Sequence, residues 1–522
     1  MSAGAELTLG ELIRLLESRG LLRSALPGGD RPPGAIVISA VAFDSRAVEP
    51  GALFVAVPGG HADGHDFIPQ AVARGAAAVI AERATPLPGV PQVLVPQARP
   101  ALALAAAALN GFPSHRLGIV GVTGTDGKTT TAYLLRSVLE AGGLPSGLLS
   151  TVETIAGGEV IARSRQTTPE APQLQAALAA MLAAGDRFAI VESTSHGLAQ
   201  ERVGEVAYDV AVLTNLTHEH LEFHRTPEAY RAAKRRLFER LAVSDANPDK
   251  GFGKWAVLNL DDPVAPEFGA AAEAAGARRL TYGTAAAADV RALRIEEDAA
   301  GLRVLVRTPR WEESLRLRLA GRFNAHNALA AVAVGEALEL PPDAIRAGLE
   351  SVGGVPGRMQ RVDAGQPFTL VVDYAHTADS LAKVLDSLAP LAVAGGGGLI
   401  CVFGSAGERD TLKRPMMGRV AGERCRLVVL TDEDPRGEDR QAILEQIAAG
   451  AESVGRVRGR DLLLVPDRRN AIAEAVGQAR PADVVVLCGK GHERTIEMAG
   501  GAIEWDEAAA AREALAELGY GS

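Results

Sequence analysis

Short apolar runs alternate with amphipathic stretches along almost the whole chain. That alternation predicts an α/β fold with mainly parallel sheets. Near the N-terminus, AIVISAVAF (35–43), ALFVAVP (52–58), AAAVIAE (76–82) and PQVLVP (91–96) read as strands, with the helical HDFIPQAVARG (65–75) between them. ALALAAAALNGFP (101–113) reads as a helix bridging to the next section. There the strands are IVGV (119–122), FAIVES (188–193), YDVAVLTNL (208–216) and KWAVLNL (254–260). RVLVRTP (303–309) and SLRLRLAG (314–321) alternate more strictly and predict an antiparallel pair, followed by the helix NAHNALAAVAVGEAL (324–338). The glycine-rich 353–357 reads as a linker. Five buried runs follow: FTLVVDY (368–374), GLICVFG (398–404), RLVVLTD (426–432), DLLLVPD (461–467) and DVVVLCG (483–489). The expected sections are therefore 1–97, 98–355 and 356–522. Four of the last five runs end in polar clusters, at 373–376, 404–410, 432–436 and 489–494. Ligands in open α/β sheets sit beyond the strand C-termini, so these clusters are expected to share one crevice.

The sharpest chemistry lies at 119–131, IVGVTGTDGKTTT, which leads into the helical AYLLRSVLEA. Strand, glycine turn and helix let backbone N–H groups converge on a phosphate at a helix N-terminus. Lys128 adds charge, and the Thr129 hydroxyl can hold Mg²⁺. The stretch Gly124, Thr125, Asp126, Gly127, Lys128, Thr129, Thr130 is a short form of this loop, since Val122 stands where a further glycine is common. ATP or GTP is the expected ligand.

Glu192 ends a buried strand, where an acid can hold Mg²⁺ directly or through water. TNLTHEHLEFH (214–224) carries His218, His220 and His224 with two glutamates; with no cysteine near, Mg²⁺ suits it better than a transition metal. In YRAAKRRLFERL (230–241), Tyr230, Leu237, Phe238 and Leu241 form one helical stripe, and Lys234 falls inside it. Such a lysine is either a snorkelling stem or a functional group. Burial favours the neutral amine, which can react with CO₂ to give a carbamate able to ligate Mg²⁺. Arg358 and Arg409 stand in glycine-bounded loops.

Composition narrows the field. The 522 residues are 47% hydrophobic but only 4% aromatic, which predicts large aliphatic cores. A net charge of −10 argues against a general nucleic-acid binder. Cys401, Cys425 and Cys488 are far apart and odd in number, which fits a reducing compartment. The acidic, amphipathic start and the lack of a membrane-length apolar run predict a cytoplasmic protein without membrane insertion, expected as a monomer.

Together these segments resemble the Mur ligase family, most of all its diamino-acid-adding branch, from Asp44 to Asp506. The resemblance implies three domains: a UDP-substrate-binding domain, a central P-loop ATPase domain and a mobile C-terminal Rossmann-like domain. It implies a uridine-nucleotide site at Asp44-Ser45-Arg46 and Gly60-His61-Ala62, and muramoyl contacts from Gln166, Thr167, Thr168, Thr194, Gln200 and Arg202. Gln166 and Asp126 both replace the family's usual asparagine. The resemblance assigns Glu192, His220 and Lys234 to the metal site with Thr129, and makes Lys234 the residue that is carbamylated. Asn327, Arg358 and Asp373 fall on ATP-side segments. Arg409, Glu433-Asp434-Pro435-Arg436 and Gly489-Lys490-Gly491-His492-Glu493 fall on the amino-acid site.

The implied reaction is ATP-dependent amide synthesis through an acyl phosphate, with Mg²⁺. It adds a diamino acid to UDP-N-acetylmuramoyl-L-alanyl-D-glutamate in peptidoglycan synthesis. Lys128, Glu192, His220 and Lys234 are the expected catalytic set. Arg436 and Glu493 favour meso-diaminopimelate, whereas Asp434 in place of a usual asparagine favours L-lysine or L-ornithine. A folylpolyglutamate-synthase-like ligase should lack the Asp44–Arg46 and Thr167–Glu170 segments. A non-catalytic nucleotide-binding regulator should have lost one of the four catalytic residues.

Overall fold

A computed structural model describes residues 6–29, 31–59, 62–163, 166–217, 221–242, 250–298 and 301–521. The chain forms two compact units, Met1–Arg291 with Leu329–Gly348, and Ala292–Ala328 with Leu349–Ser522.

The first unit opens with the helix Leu9–Ser18. Thr8 and Glu11 start it with a reciprocal capping box. Leu9, Leu12 and Leu16 recur at helical spacing and are fully buried in a core shared with Leu53, Val55, Ile80 and Val93. Each such side chain contributes about 1.5–3 kcal/mol on burial. The sheet beneath has five strands in the order Ser24–Leu26, Gln92–Leu94, Ala78–Ala81, Leu53–Val55, Val41–Ala42. Its first pair is antiparallel and the others parallel.

The phosphate loop belongs to a second sheet of this unit. Strand β1 (Gly118–Thr123) leads through the loop into helix α1 (Lys128–Ala141). It pairs in parallel with β2 (Phe188–Glu192) on one side and β3 (Val210–Leu213) on the other. All three are buried along their whole length, as expected of apolar runs covered on both faces. Helix α2 (Pro227–Glu239) follows, with Thr226 accepting the Ala229 N–H as its cap.

In the second unit, Gly301–Arg307 and Glu312–Leu317 form the expected antiparallel pair. The five buried runs of the C-terminal section are all strands: β4 (Thr369–Asp373), β5 (Leu399–Phe403), β6 (Leu427–Leu430), β7 (Leu462–Leu464) and β8 (Val484–Cys488). Gln360–Val362 lies antiparallel at the β4 edge, and β8 inserts between β4 and β5. β4, β8, β5, β6 and β7 are therefore neighbours in that order, all parallel. Asp373 registers with Cys488 and Phe403 with Leu430, so four carboxyl ends lie side by side. Cys401, Cys425 and Cys488, scattered in sequence, are buried free thiols of a single core here. Among the described residues, no helix is long and apolar enough to cross a membrane.

Candidate active site

The phosphate loop is shaped by backbone that only glycine adopts readily. Gly124 has φ +152°, and a Cβ there would lie 1.9 Å from the Thr214 hydroxyl. Gly127, at φ +82°, turns the chain into α1. The loop is tied to the segment after β3: Thr125 N–H donates to the Asn215 carbonyl (2.8 Å), and the Thr214 hydroxyl donates to the Asp126 carbonyl (2.6 Å). The Asp126 side chain is exposed. Lys128 Nζ folds back onto the loop and donates to the carbonyls of Gly124 (2.9 Å) and Thr125 (2.7 Å).

Helix α2 docks on this loop. Tyr230, Leu237 and Phe238 are buried, and so is Lys234, at 2% exposure. Lys234 Nζ donates to the Gly124 carbonyl at 2.6 Å and lies 4.6 Å from the centre of the Tyr230 ring. The Tyr230 hydroxyl in turn meets Thr125 Oγ1 at 3.0 Å. The stripe read from sequence thus carries Lys234 to the loop and does not let it snorkel out.

Glu192 is fully buried at the end of β2. Its carboxylate accepts the Thr129 hydroxyl (3.0 Å), the Thr151 N–H (3.0 Å) and the Thr151 hydroxyl (3.2 Å). The expected muramoyl contacts gather around it. The Thr168 hydroxyl donates to the Glu192 carbonyl (2.7 Å) and lies 2.9 Å from Thr194 Oγ1, while Thr167 Oγ1 accepts from Thr151 (3.0 Å). Arg202 donates to the Thr168 carbonyl, Gln166 and Gln200, and pairs with Glu170. Thr130 is buried in the first turn of α1.

In the N-terminal segment Ser45 is buried, donating to Gln70 at 2.8 Å, and the Ala62 carbonyl accepts the Gly59 N–H. His220, Gly60 and His61 lie outside the described residues.

The second unit carries the remaining candidates. Asn327 donates to Asn324 Oδ1 at 2.8 Å on the helix Asn324–Ala337. Arg358 lies over the Tyr374 ring, 4.7 Å from its centre. Gly357 precedes it at φ +64°, where a Cβ would lie 2.1 Å from the His492 nitrogen, so the two loops touch backbone to backbone. Asp373 accepts the N–H groups of Met359 and Ala375, both at 2.8 Å. Burial raises its carboxyl above the usual range, against the pull of Arg358.

At the ends of β6 and β8, Glu433 and Asp434 are buried, and Pro435 precedes Arg436, held at φ +52°. Arg436 donates to the Gly407 carbonyl, which ties this loop to the exposed Arg409 loop. Glu493 accepts the Tyr374 hydroxyl at 3.3 Å. Burial raises the Glu493 carboxyl too, with Lys490 opposing. The expected convergence of the four clusters is observed.

Lys490 belongs to Gly489-Lys490-Gly491-His492-Glu493, the segment that resembles the amino-acid site; it is 1% exposed and donates to Asp434 (2.8 Å) and Glu493 (2.6 Å). Sequence reasoning passed over Arg468. Arg468, also buried, donates to the carbonyls of Asp432 and Cys488 and pairs with Glu507, pinning the ends of β6 and β8. Nothing in its local sequence marks it.

Comparison with known proteins agrees with this layout. The Mur ligase middle domain matches residues 122–335, the Mur ligase glutamate ligase domain 357–491, and the Mur ligase family catalytic domain 37–115. The UDP-N-acetylmuramyl-tripeptide synthetase of Roseiflexus sp. (strain RS-1) is 52% identical over 94% of this chain and 97% of its own. The chain belongs to the Mur ligase family. A relative in Solibacter usitatus, named UDP-N-acetylmuramoyl-L-alanyl-D-glutamate–2,6-diaminopimelate ligase, is 42% identical over 92% of this chain and 94% of its own. A solved structure bearing that same ligase name superposes with a TM-score of 0.68 at 30% identity, covering 98% of this chain and 99% of the other. The Mur ligase fold and its ligase chemistry thus extend over nearly the full length.

Proposed function

We propose that this Mur ligase uses ATP to join a diamino acid, meso-diaminopimelate in preference to L-lysine or L-ornithine, to the D-glutamate of UDP-N-acetylmuramoyl-L-alanyl-D-glutamate. The observation that carries the reading is the packing of Lys128, Thr129, Glu192 and Lys234 about one glycine loop. The Thr129 hydroxyl and the buried Glu192 carboxylate are hard oxygen donors, which fit Mg²⁺. Thr129, Glu192, His220 and Lys234, the last as its carbamate, would hold the ion. Bound there, Mg²⁺ supplies charge neutralisation to the transferring phosphoryl group.

In this reading the loop N–H groups and Lys128 hold the ATP phosphates in line with the D-glutamate carboxylate. Phosphoryl transfer depends mostly on such positioning and electrostatics. Arg202, Thr168 and Thr194 orient the muramoyl peptide from the end of β2. The carboxylate attacks the γ-phosphorus, and ADP leaves. The amine of the diamino acid then attacks the acyl phosphate carbonyl, the amide forms, and inorganic phosphate leaves. In the second unit, Arg436 grips the second carboxylate of diaminopimelate as a bidentate fork, and Glu433 and Glu493 face the distal ammonium. Relatives named for diaminopimelate support the choice of amino acid. The work belongs in the cytoplasm, by a monomer whose three domains divide near residues 97 and 355.

The test is phosphate release from ATP and the UDP-muramoyl dipeptide, with meso-diaminopimelate, L-lysine and L-ornithine competing at equal concentration. Preference for diaminopimelate is expected. A clear preference for either mono-carboxylate diamine overturns that choice.

A further inference from the structure

Asp434 is buried two positions before Arg436, and a bare carboxylate there would repel the second carboxylate of diaminopimelate. The structure does not leave it bare. Asp434 Oδ1 accepts both Lys490 Nζ at 2.8 Å and the Glu497 N–H at 2.9 Å. The Glu497 carbonyl accepts the Arg436 N–H, so one short backbone segment fixes Asp434 and Arg436 together. The Lys490 ammonium, 1% exposed, also holds Glu493 Oε2 at 2.6 Å. Among the described residues, buried Glu433 Oε2 has no hydrogen-bond partner, and it lies 3.3 Å from where a Cβ on Gly489 would stand.

Charge counting assigns the roles. Two carboxylates, Asp434 and Glu493, share the Lys490 ammonium, and the Glu433 carboxylate acts on Glu493 as well. Lys490 cancels one of them. Asp434 has both its Oδ1 contacts inside the protein, so it is the one spent on structure. Glu433 and Glu493 keep negative charge for a cationic ligand group. An ion buried without its partner is costly and acts at full strength on nearby charges.

We propose that Lys490 is a positioning residue that sets diamino-acid specificity, by neutralising Asp434 and by holding Glu493 toward the distal ammonium. This rests on the functional reading above. With Lys490 present, the second carboxylate of diaminopimelate meets Arg436 without opposition. Without it, Asp434 repels that carboxylate and a mono-carboxylate diamine gains.

The test measures kcat/KM for meso-diaminopimelate and for L-lysine on the full chain, with KM for ATP and thermal melting alongside. Lys490→Gln should lower the diaminopimelate-to-lysine ratio by about tenfold or more, with KM for ATP unchanged. Adding Asp434→Asn should bring the ratio back, since the pair is then neutral and the asparagine oxygen still accepts the Glu497 N–H. Asp434→Asn alone should raise the ratio. It also stands in with the double variant where Lys490→Gln does not fold, the single then exceeding the double. Variants that change both substrates by one common factor overturn the role of Lys490 alone. A wild-type chain that turns over none of the three diamines overturns the functional reading and this one with it.

Discussion

Two lysines converge on the Gly124 carbonyl, and their different surroundings separate their roles. Lys128 lies on the rim of the loop with two carbonyls as acceptors, neither of them charged. A γ-phosphate is the stronger acceptor, so the side chain should exchange partners when ATP binds. Lys128→Ala should cost about 10²–10³-fold or more in kcat while thermal melting stays close to wild type; near-normal turnover would end the assignment. Lys234 is walled in by the apolar stripe of α2. A buried amine favours its neutral form, the form that reacts with CO₂. Lys234→Ala should therefore be inactive and partly restored by small carboxylic acids, with high-resolution density on wild type showing three heavy atoms beyond Nζ. Glu493 adds a pH signature. Burial raises its pKa, so on acidification it gains a proton earlier than an ordinary glutamate does. The acid limb of kcat/KM for the diamino acid should lie above the usual carboxylate range, with activity present at higher pH and lost as pH falls through that raised value. Glu493→Gln should abolish the limb and raise KM.

At the scale of elements, legibility followed the length and purity of the hydrophobic pattern. β4, β5, β6, β7 and β8 were readable because a parallel strand covered on both faces is a near-continuous apolar run. The helical stripe marked Lys234 as out of place but left snorkelling open, and only the family resemblance pointed to a role for it. The apolar run 35–43 predicted a longer strand than the two residues Val41–Ala42 that pair, and the exposed Ser24–Leu26 carries no such pattern; tertiary pairing sets both. Arg468 was not readable as a site residue, because its partners Cys488, Asp432 and Glu507 sit 20, 36 and 39 positions away. The same holds for Arg414, which is fully buried and donates two hydrogen bonds to Glu438 and one to the Ala406 carbonyl. Glu438 also accepts the Glu408 N–H, so this pair anchors the loop that carries Arg409. The Arg414 hydrogen bonds pull the Glu438 pKa down to about 2. A depressed carboxylate stabilises the fold above its unfolded pKa of about 4.3, and that contribution fades as pH falls from there toward about 2. Glu438→Gln leaves a buried guanidinium without its charge partner. It should lose about 3 kcal/mol at pH 7, the low end for a buried pair because Glu438 is 27% exposed. The gap from wild type in urea unfolding should shrink below about pH 4; a gap independent of pH would assign the loss to packing.

Over the whole molecule, the candidate residues of the proposed reaction belong to different compact units. The phosphate loop, Glu192 and Lys234 lie in the first, while Asp373, Glu433–Arg436 and Glu493 lie in the second. The chain passes between the units at 291/292, 328/329 and 348/349, the last just ahead of the 353–357 glycine segment. Gly354 holds positive φ with nothing within 4 Å of where a Cβ would stand, whereas Gly357 is packed on the 491–492 backbone. In the proposed reaction the amine must come within about 3–3.5 Å of the acyl phosphate carbonyl. An acyl phosphate exposed to water would also hydrolyse, so the step demands that the two sets of ligands enclose it. The proposed reaction therefore predicts compaction on ligand binding, with rotation at the glycine segment. Small-angle scattering on the full chain should show a smaller radius of gyration with a non-hydrolysable ATP analogue and the UDP-muramoyl dipeptide than without them. Replacing Gly354 by proline should blunt the compaction and lower kcat, while nucleotide affinity, which draws on the phosphate loop, stays close to wild type. Scattering that stays the same with both ligands bound would refute closure as the step that assembles the site.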